Sequence, residues 1–348
     1  MTRTDFTGLD WLRRLALAGT LLALCVVVFG AYVRLSNAGL GCPDWPGCYG
    51  HVTPAGAAAA DAGTAQAPLH VGKAWREMIH RYGASTLGLI ILTIALLSLL
   101  WRRHAGVPIA LPLALVVLVI FQGLLGMWTV TLLLKPMIVT AHLVFGLATL
   151  AMLWWLWMSL RRNSGQWPGR GAAVRSHGPA LMPPAFDGLR TLCAFALVTL
   201  VIQILLGGWT STNYAAVACP DFPRCQASWW PAADFRDAFV VWRGLGINYE
   251  GGVLDSASRV AIHFTHRLGA VVATLTLLLS VILTLRLRRE TPPRRAAWLV
   301  LAALVLQLGI GISMVLRGFP LQIATAHNAG AALLLLATLG LYRALRQG

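Results

Sequence analysis

Four histidines stand in two matched settings. Ile79-His80-Arg81 is repeated as Thr265-His266-Arg267, and Thr140-Ala141-His142 as Thr325-Ala326-His327. All four lie in or against apolar runs, where an ionisable side chain is costly and a functional candidate by default. Two imidazoles from facing helices, with no thiolate or carboxylate to complete the set, suit bis-histidine ligation of a haem iron. Zinc would ordinarily want four ligands. The plainer reading is that each histidine hydrogen-bonds a neighbouring helix. It would be preferred for a lone histidine, but two pairs at equivalent positions favour haem, His80 with His142 and His266 with His327. His51, His70, His104 and His177 fall outside the apolar runs and read as solvated and silent.

Of six cysteines, four form two equally spaced pairs, Cys42-Pro-Asp-Trp-Pro-Gly-Cys48 and Cys219-Pro-Asp-Phe-Pro-Arg-Cys225. Paired cysteines on the oxidising side of a membrane read as disulfides, here Cys42–Cys48 and Cys219–Cys225. The zinc reading is weaker, because five intervening residues is not a usual zinc spacing. Cys25 and Cys193 sit inside apolar runs and read as inert packing residues.

The settings differ in two places. Glu77 lies three residues before His80, on the same helical face, and its counterpart is His263. Arg34 aligns with Ser211. A carboxylate and a guanidinium are therefore added beside the first pair only. Glu77 could move protons or orient a ligand; alternatively it is a helix-start acid favoured by the dipole. Arg34, Arg81 and Arg267 suit carboxylate partners by charge, although cations near a membrane surface are common.

These residues have to be positioned by helices in a bilayer. The chain has 348 residues, 57% hydrophobic and only 11% charged, against about 25% charged in soluble domains. Mean hydropathy is +0.70. The apolar residues form eight runs, each long enough to span as a helix: Leu15–Leu35, Ile79–Leu100, Val107–Leu133, Met137–Leu160, Leu189–Thr210, Val260–Leu285, Ala296–Leu316 and Leu321–Leu341. A barrel would give a far weaker apolar signal. The first run reads as a span and not a cleaved signal peptide. The net charge of +16 does not imply nucleic acid, since the cations cluster at the ends of apolar runs as orientation signals do.

That clustering predicts both termini cytoplasmic. Arg3, Arg13 and Arg14, then Arg102 and Arg103, then Arg161, Arg162, Arg170, Arg175 and Arg190, then Arg286, Arg288, Arg289, Arg294 and Arg295, and finally Arg343 and Arg346 fall on one side. Most acids, including Asp44, Asp61, Glu77, Asp221 and Glu250, fall on the other, with the two long loops at about 36–76 and 211–258.

The chain also repeats itself. The offset is 177 residues at the cysteines, and at Gly30 and Gly207 twelve residues before them; it grows to 185–186 at the histidines and 185 at Gln122 and Gln307. The second outer loop therefore carries a small insertion. Four helices per repeat gives both halves one orientation, a parallel repeat. The expected architecture is an all-α membrane protein with eight transmembrane helices as two tandem four-helix bundles, a shape that holds cofactors between facing helices. Residues 1–160 form the N-terminal bundle, 161–188 a cytoplasmic linker, and 189–348 the C-terminal bundle.

The segments Gly30-Ala31-Tyr32-Val33-Arg34-Leu35-Ser36, Gly39-Leu40-Gly41-Cys42-Pro43-Asp44-Trp45-Pro46-Gly47-Cys48 and Glu77-Met78-Ile79-His80-Arg81 resemble the signatures of haem A synthases. The resemblance covers nearly the whole chain. It implies an oxidoreductase of the bacterial inner membrane that converts a methyl group of haem O to a formyl group by successive hydroxylations, making haem A for terminal oxidases. It implies haem b as cofactor on His266 and His327, and substrate haem O on His80 and His142. Arg34 and Arg81 would contact the substrate haem, and Glu77 would be the functional acid. Membrane lipid, a haem O synthase and an electron donor are the implied partners, with a homo-oligomer left open. Asn37 departs from the small residue usual at its position. A bis-histidine electron carrier that leaves haem unaltered explains the histidines equally well, but not the presence of Glu77 and Arg34 in one half only. A transporter built from parallel repeats lacks Gly/Pro-broken helices at matching positions.

Overall fold

The structure is a computed structural model and describes residues 7–60, 68–163, 184–287 and 291–347. Most of the expected linker lies outside the described residues, as do Arg3, Asp61, Arg170, Arg175, His177, Arg288, Arg289 and the Arg162 side chain. Ten helices are described: α1 (Thr7–Leu35), α2 (Pro54–Ala59), α3 (Val71–Leu100), α4 (Ala110–Thr131), α5 (Pro136–Asn163), α6 (Pro184–Thr212), α7 (Phe235–Ala238), α8 (Ser256–Leu285), α9 (Pro292–Leu316) and α10 (Leu321–Gln347). Among the described residues there is no strand, and eight of these helices are long and apolar enough to cross a bilayer. This is an all-α, multi-pass membrane protein.

Several helices run past their apolar stretches because polar residues there also favour helix. α3 starts at Val71, carried by the good helix formers Lys73, Ala74, Arg76 and Glu77 ahead of the apolar run. α8 starts where the Asp255 carboxylate accepts from the Ser258 amide at 2.7 Å, an N-cap. α9 starts on proline after Thr291, where the missing N–H costs nothing. One reading changes as a result. Glu77 lies well inside α3, whose first turn holds no acid, so it is not a helix-start acid.

In the first half, α1 packs on α3 and α5, and α4 on α3 and α5. In the second, α6 packs on α8 and α10, and α9 on α8 and α10. The halves meet where α1 lies against α10, α6 against α5, and α5 against α10, each contact having its repeat mate. The buried core is continuous across the junction, joining Leu12, Ile91 and Leu153 to Leu200, Leu277 and Leu341. Cys193 is buried in α6, but Cys25 faces outward on α1. Cys25 is therefore a helix-surface residue and not the packing residue expected.

The outer loops repeat one construction. Both expected disulfides are formed, with Cα–Cα distances of 4.8 Å for Cys42–Cys48 and 4.7 Å for Cys219–Cys225. The Asp44 carboxylate accepts from the amides of Tyr49 and Gly50 at 2.6 and 2.8 Å, and Asp221 accepts from those of Gln226 and Ala227 at 2.7 and 2.8 Å. The inserted part of the second loop crosses to the first half. There the Tyr249 amide donates to Leu133 O at 3.1 Å, and the buried Lys135 donates to Gly244 O and sits 3.4 Å from the Trp242 ring centre.

Candidate functional site

A cavity lies inside the first half and holds about 980 Å³ of empty space, its open mouth included. Its wall is mostly apolar, from α1, α3, α4 and α5, with Ser211 and Thr212 of α6 and Asn328 of α10 closing one side. Both halves of the repeat therefore build it. His80 and His142 both line it, with ring centres 6.4 Å apart and planes at 82°.

Each of the four histidines is seated against a glycine of the preceding long helix. A Cβ on Gly30 would come within 2.7 Å of His80 Cε1, on Gly207 within 3.0 Å of His266, on Gly311 within 3.0 Å of His327, and on Gly126 within 3.6 Å of His142. At the first three positions a side chain would displace the imidazole. The glycines buy a close approach between ring and backbone that leaves each ring a fixed place at a helix interface.

The chemistry of the donor set fits an iron held between two imidazoles. A metal–imidazole bond of about 2 Å puts the two ring centres on one metal roughly 6 Å apart, close to the observed spacing. The Nδ1 atoms of His80 and His142 are buried and make no hydrogen bond of good geometry, although the Val26 carbonyl of α1 faces His80. Among the described residues no group of three or more His, Cys, Asp or Glu gathers as a metal site, which leaves no four-ligand arrangement for zinc.

Arg34 also lines the cavity. One guanidinium nitrogen donates to Ser211 O at 3.0 Å and Thr212 O at 3.3 Å. Its Cζ lies 4.2 Å from the Tyr214 ring centre, and Nε is buried without a partner. Glu77 and Arg81 are engaged elsewhere. Glu77 accepts from the Cys42 amide at 3.0 Å and pairs with Arg81, and neither residue is part of the cavity wall. Arg81 donates in addition to the carbonyls of Asp44, Pro46 and Gly47, clamping the first disulfide loop onto α3. Arg267 does the same in the second half, donating to Cys219 O at 2.9 Å and Arg224 O at 2.6 Å, with His263 Nε2 at 3.3 Å in the place of the carboxylate.

The cytochrome oxidase assembly protein family matches residues 13–339. The haem A synthase of Shewanella oneidensis is 43% identical over 332 residues, covering 94% of both chains. Those of Nitrosospira multiformis and Halalkalibacterium halodurans are 29% and 26% identical, covering 94% and 90% of this chain and 91% of each relative. The chain belongs to the haem A synthase family.

Within this family's frame, the structure gathers His80, His142 and Arg34 at one cavity and sets Glu77 and Arg81 one layer outward, under the disulfide loop. His266 and His327 occupy the corresponding seats on α8 and α10. Sequence reasoning missed the glycine seats and Gln203, which touches the His266 ring. The seats were detectable, because Gly30 and Gly207 keep the cysteine offset, and Gly126 and Gly311 keep that of Gln122 and Gln307. Asn37, the departure from the family pattern, has a positive φ of 50°, a conformation asparagine tolerates.

Proposed function

We propose that this chain makes haem A from haem O in a bacterial inner membrane, with both termini cytoplasmic and the disulfide loops outside. The substrate haem binds in the first half (residues 1–160), between His80 and His142, and a resident haem b binds in the second (residues 189–348), between His266 and His327. The observation that carries this reading is the facing pair His80 and His142 at the cavity, in a chain 43% identical to a haem A synthase. Haem b, when bound, supplies one-electron redox chemistry that connects the site to an external electron donor.

The chain's own residues bind, orient and shield. His80 and His142 fix the substrate macrocycle from opposite sides. The unused Nε–H of Arg34 and the positive charge around it suit a haem propionate. The apolar wall excludes water from the methyl group being oxidised. Two successive hydroxylations take that methyl carbon to a hydrated aldehyde, which loses water to leave the formyl group; with dioxygen as the oxidant, each would insert one oxygen atom into a C–H bond and release the other as water, using two electrons from the external donor and two protons. Glu77 is a positioning residue in this reading: one turn from His80, it ties α3 to Cys42 and orients Arg81, so the loop roofs the site in one register.

The test is expression in cells supplied with haem O, followed by extraction and chromatography of the haems. Appearance of haem A supports the proposal. A haem b spectrum with unchanged haem O would make the chain an electron carrier.

A further inference from the structure

Three glutamines stand beside the four histidines. Gln122 on α4 donates to the backbone oxygen of His142 at 3.0 Å. Its counterpart on α9, Gln307, brings Nε2 within 3.3 Å of both ring nitrogens of His327. Gln203 on α6 places Nε2 3.0 Å from His266 Nδ1 and 3.0 Å from His266 O. The Oε1 atoms of all three are buried without a partner.

Gln203 has no glutamine counterpart, because the position 177 residues earlier is Val26. The two side chains share one kind of seat. Val26 packs on Gly83 of α3, and Gln203 packs on Gly269 of α8, where the glycines are 186 residues apart. In the first half only the backbone carbonyl of Val26 faces the His80 ring, and His80 Nδ1 makes no hydrogen bond of good geometry. The second half thus has an amide against each histidine ring, and the first half against neither.

A metal-ligating imidazole donates its other ring N–H to an acceptor, which fixes the tautomer and the ring orientation. A glutamine amide can serve, since a half-turn of its terminal group presents Oε1 to Nδ1–H in exchange for the Nε2 bond to the His266 carbonyl. Oε1 of Gln203 is the acceptor with nothing else to do. An amide at a lipid-buried helix interface costs free energy unless it is used, and Val26 demonstrates that the seat accepts an apolar residue.

We propose that Gln203 positions His266 as an axial ligand and so retains the haem of the second half, and that valine in the equivalent place lets the first half exchange its haem. This rests on the ligand assignment under Proposed function. The asymmetry matches the division of labour there, since substrate must enter and product leave the first half while the resident haem stays.

The experiment compares the full-length chain with Gln203→Val, Gln203→Glu, Val26→Gln and His266→Ala. Haem b transfer from detergent-solubilised protein to apomyoglobin gives the rate of loss, and a potentiometric titration gives the reduction potential. Gln203→Val should lose haem b about 10–100 times faster. Its potential should rise, because an imidazole that no longer donates is a poorer electron donor to iron. Gln203→Glu, which keeps an acceptor, should restore slow loss and lower the potential. Val26→Gln should raise the haem co-purifying per chain. If Gln203→Val keeps the parent rate and potential while His266→Ala loses haem b, this inference is overturned and the ligand assignment stands. If His266→Ala itself retains haem b, both are overturned.

Discussion

Tyr214 donates from its hydroxyl to Asn37 Oδ1 at 3.2 Å across the junction between the halves, and the two residues are 177 positions apart, the offset of the cysteine pairs. Arg34 likewise bonds the carbonyl of its own repeat mate, Ser211. Equivalent positions of the sequence repeat therefore meet each other here, beside the cavity that Arg34 and Ser211 line. Asn37 and Tyr214 follow α1 and α6 with nearly the same φ, 50° and 53°. One device closes both helices, and its two copies then bind one another.

Tyr214 should therefore matter more through its ring than through its hydroxyl. The hydroxyl bonds Asn37 at an exposed position and is also a polar partner of the Arg34 guanidinium, so Tyr214→Phe should cost about 0.5–1.5 kcal/mol. Tyr214→Ala removes the face on which the largely desolvated Arg34 guanidinium rests, worth about 2 kcal/mol. It should also lower occupancy of the first-half haem site. Thermal unfolding in detergent and haem content per chain check both, and equal behaviour of the two variants would remove the stacking role.

His266→Ala and His327→Ala should each strip most haem b from the purified protein, while His80→Ala and His142→Ala should leave it. The basis is the pairing of matched seats, Gly207 with His266 and Gly311 with His327 in one half, Gly30 with His80 and Gly126 with His142 in the other. A pyridine haemochrome assay reads the result directly. Loss of haem b from the first-half variants alone would reverse the assignment of the halves.

Glu77 and Arg81 should separate on substitution. Their side chains are only 6% and 13% exposed, so Arg81→Met strands a buried carboxylate and should cost about 3–5 kcal/mol. Glu77→Gln keeps an oxygen for the Cys42 amide, and Arg81 keeps its three loop carbonyls. That change removes the charge that orients Arg81; it should cost about 1–3 kcal/mol, retain haem b, and lower the haem A yield while haem O or a hydroxylated intermediate accumulates. Parent-level haem A from Glu77→Gln would reduce Glu77 to a loop anchor with no bearing on the reaction.

The spans were legible because bilayer thickness forces long apolar runs, and the repeat because the cysteine and histidine segments are nearly identical strings. The polar first turns of α3 and α8 were not, since hydropathy ignores helix propensity and capping. That is why Glu77 could be read as a helix-start acid. The destination of long side chains was equally hidden. Arg34 and Arg81 have the same charge and flank the same loop, yet one lines the cavity and the other is spent on loop carbonyls, a difference set by which backbone oxygens lie within reach. Lys135, just ahead of α5, is a buried cation held by Gly244 and Trp242 from the inserted loop, a contact between segments about a hundred residues apart.

The second disulfide loop should loosen in acid, and Asp221 is the reason. Burial pushes its carboxyl up, but the amides of Ala227, Gln226 and Asp221 itself, with the Arg267 charge, outweigh that and hold it below the ordinary carboxylate range. A carboxyl depressed in the folded state stabilises the fold fully above its unfolded value of about 3.9, and that contribution disappears as the pH falls through the lower folded value. Hydrogen exchange at the Gln226 and Ala227 amides, the two that Asp221 accepts from, should lose protection below about pH 4 while the Cys219–Cys225 bond stays intact. In Asp221→Asn the same amides face an uncharged acceptor, so their protection should be weaker at neutral pH and flat through the acid range. If the variant instead repeats the parent's acid-dependent loss, some other group controls the loop and the role given to Asp221 is wrong.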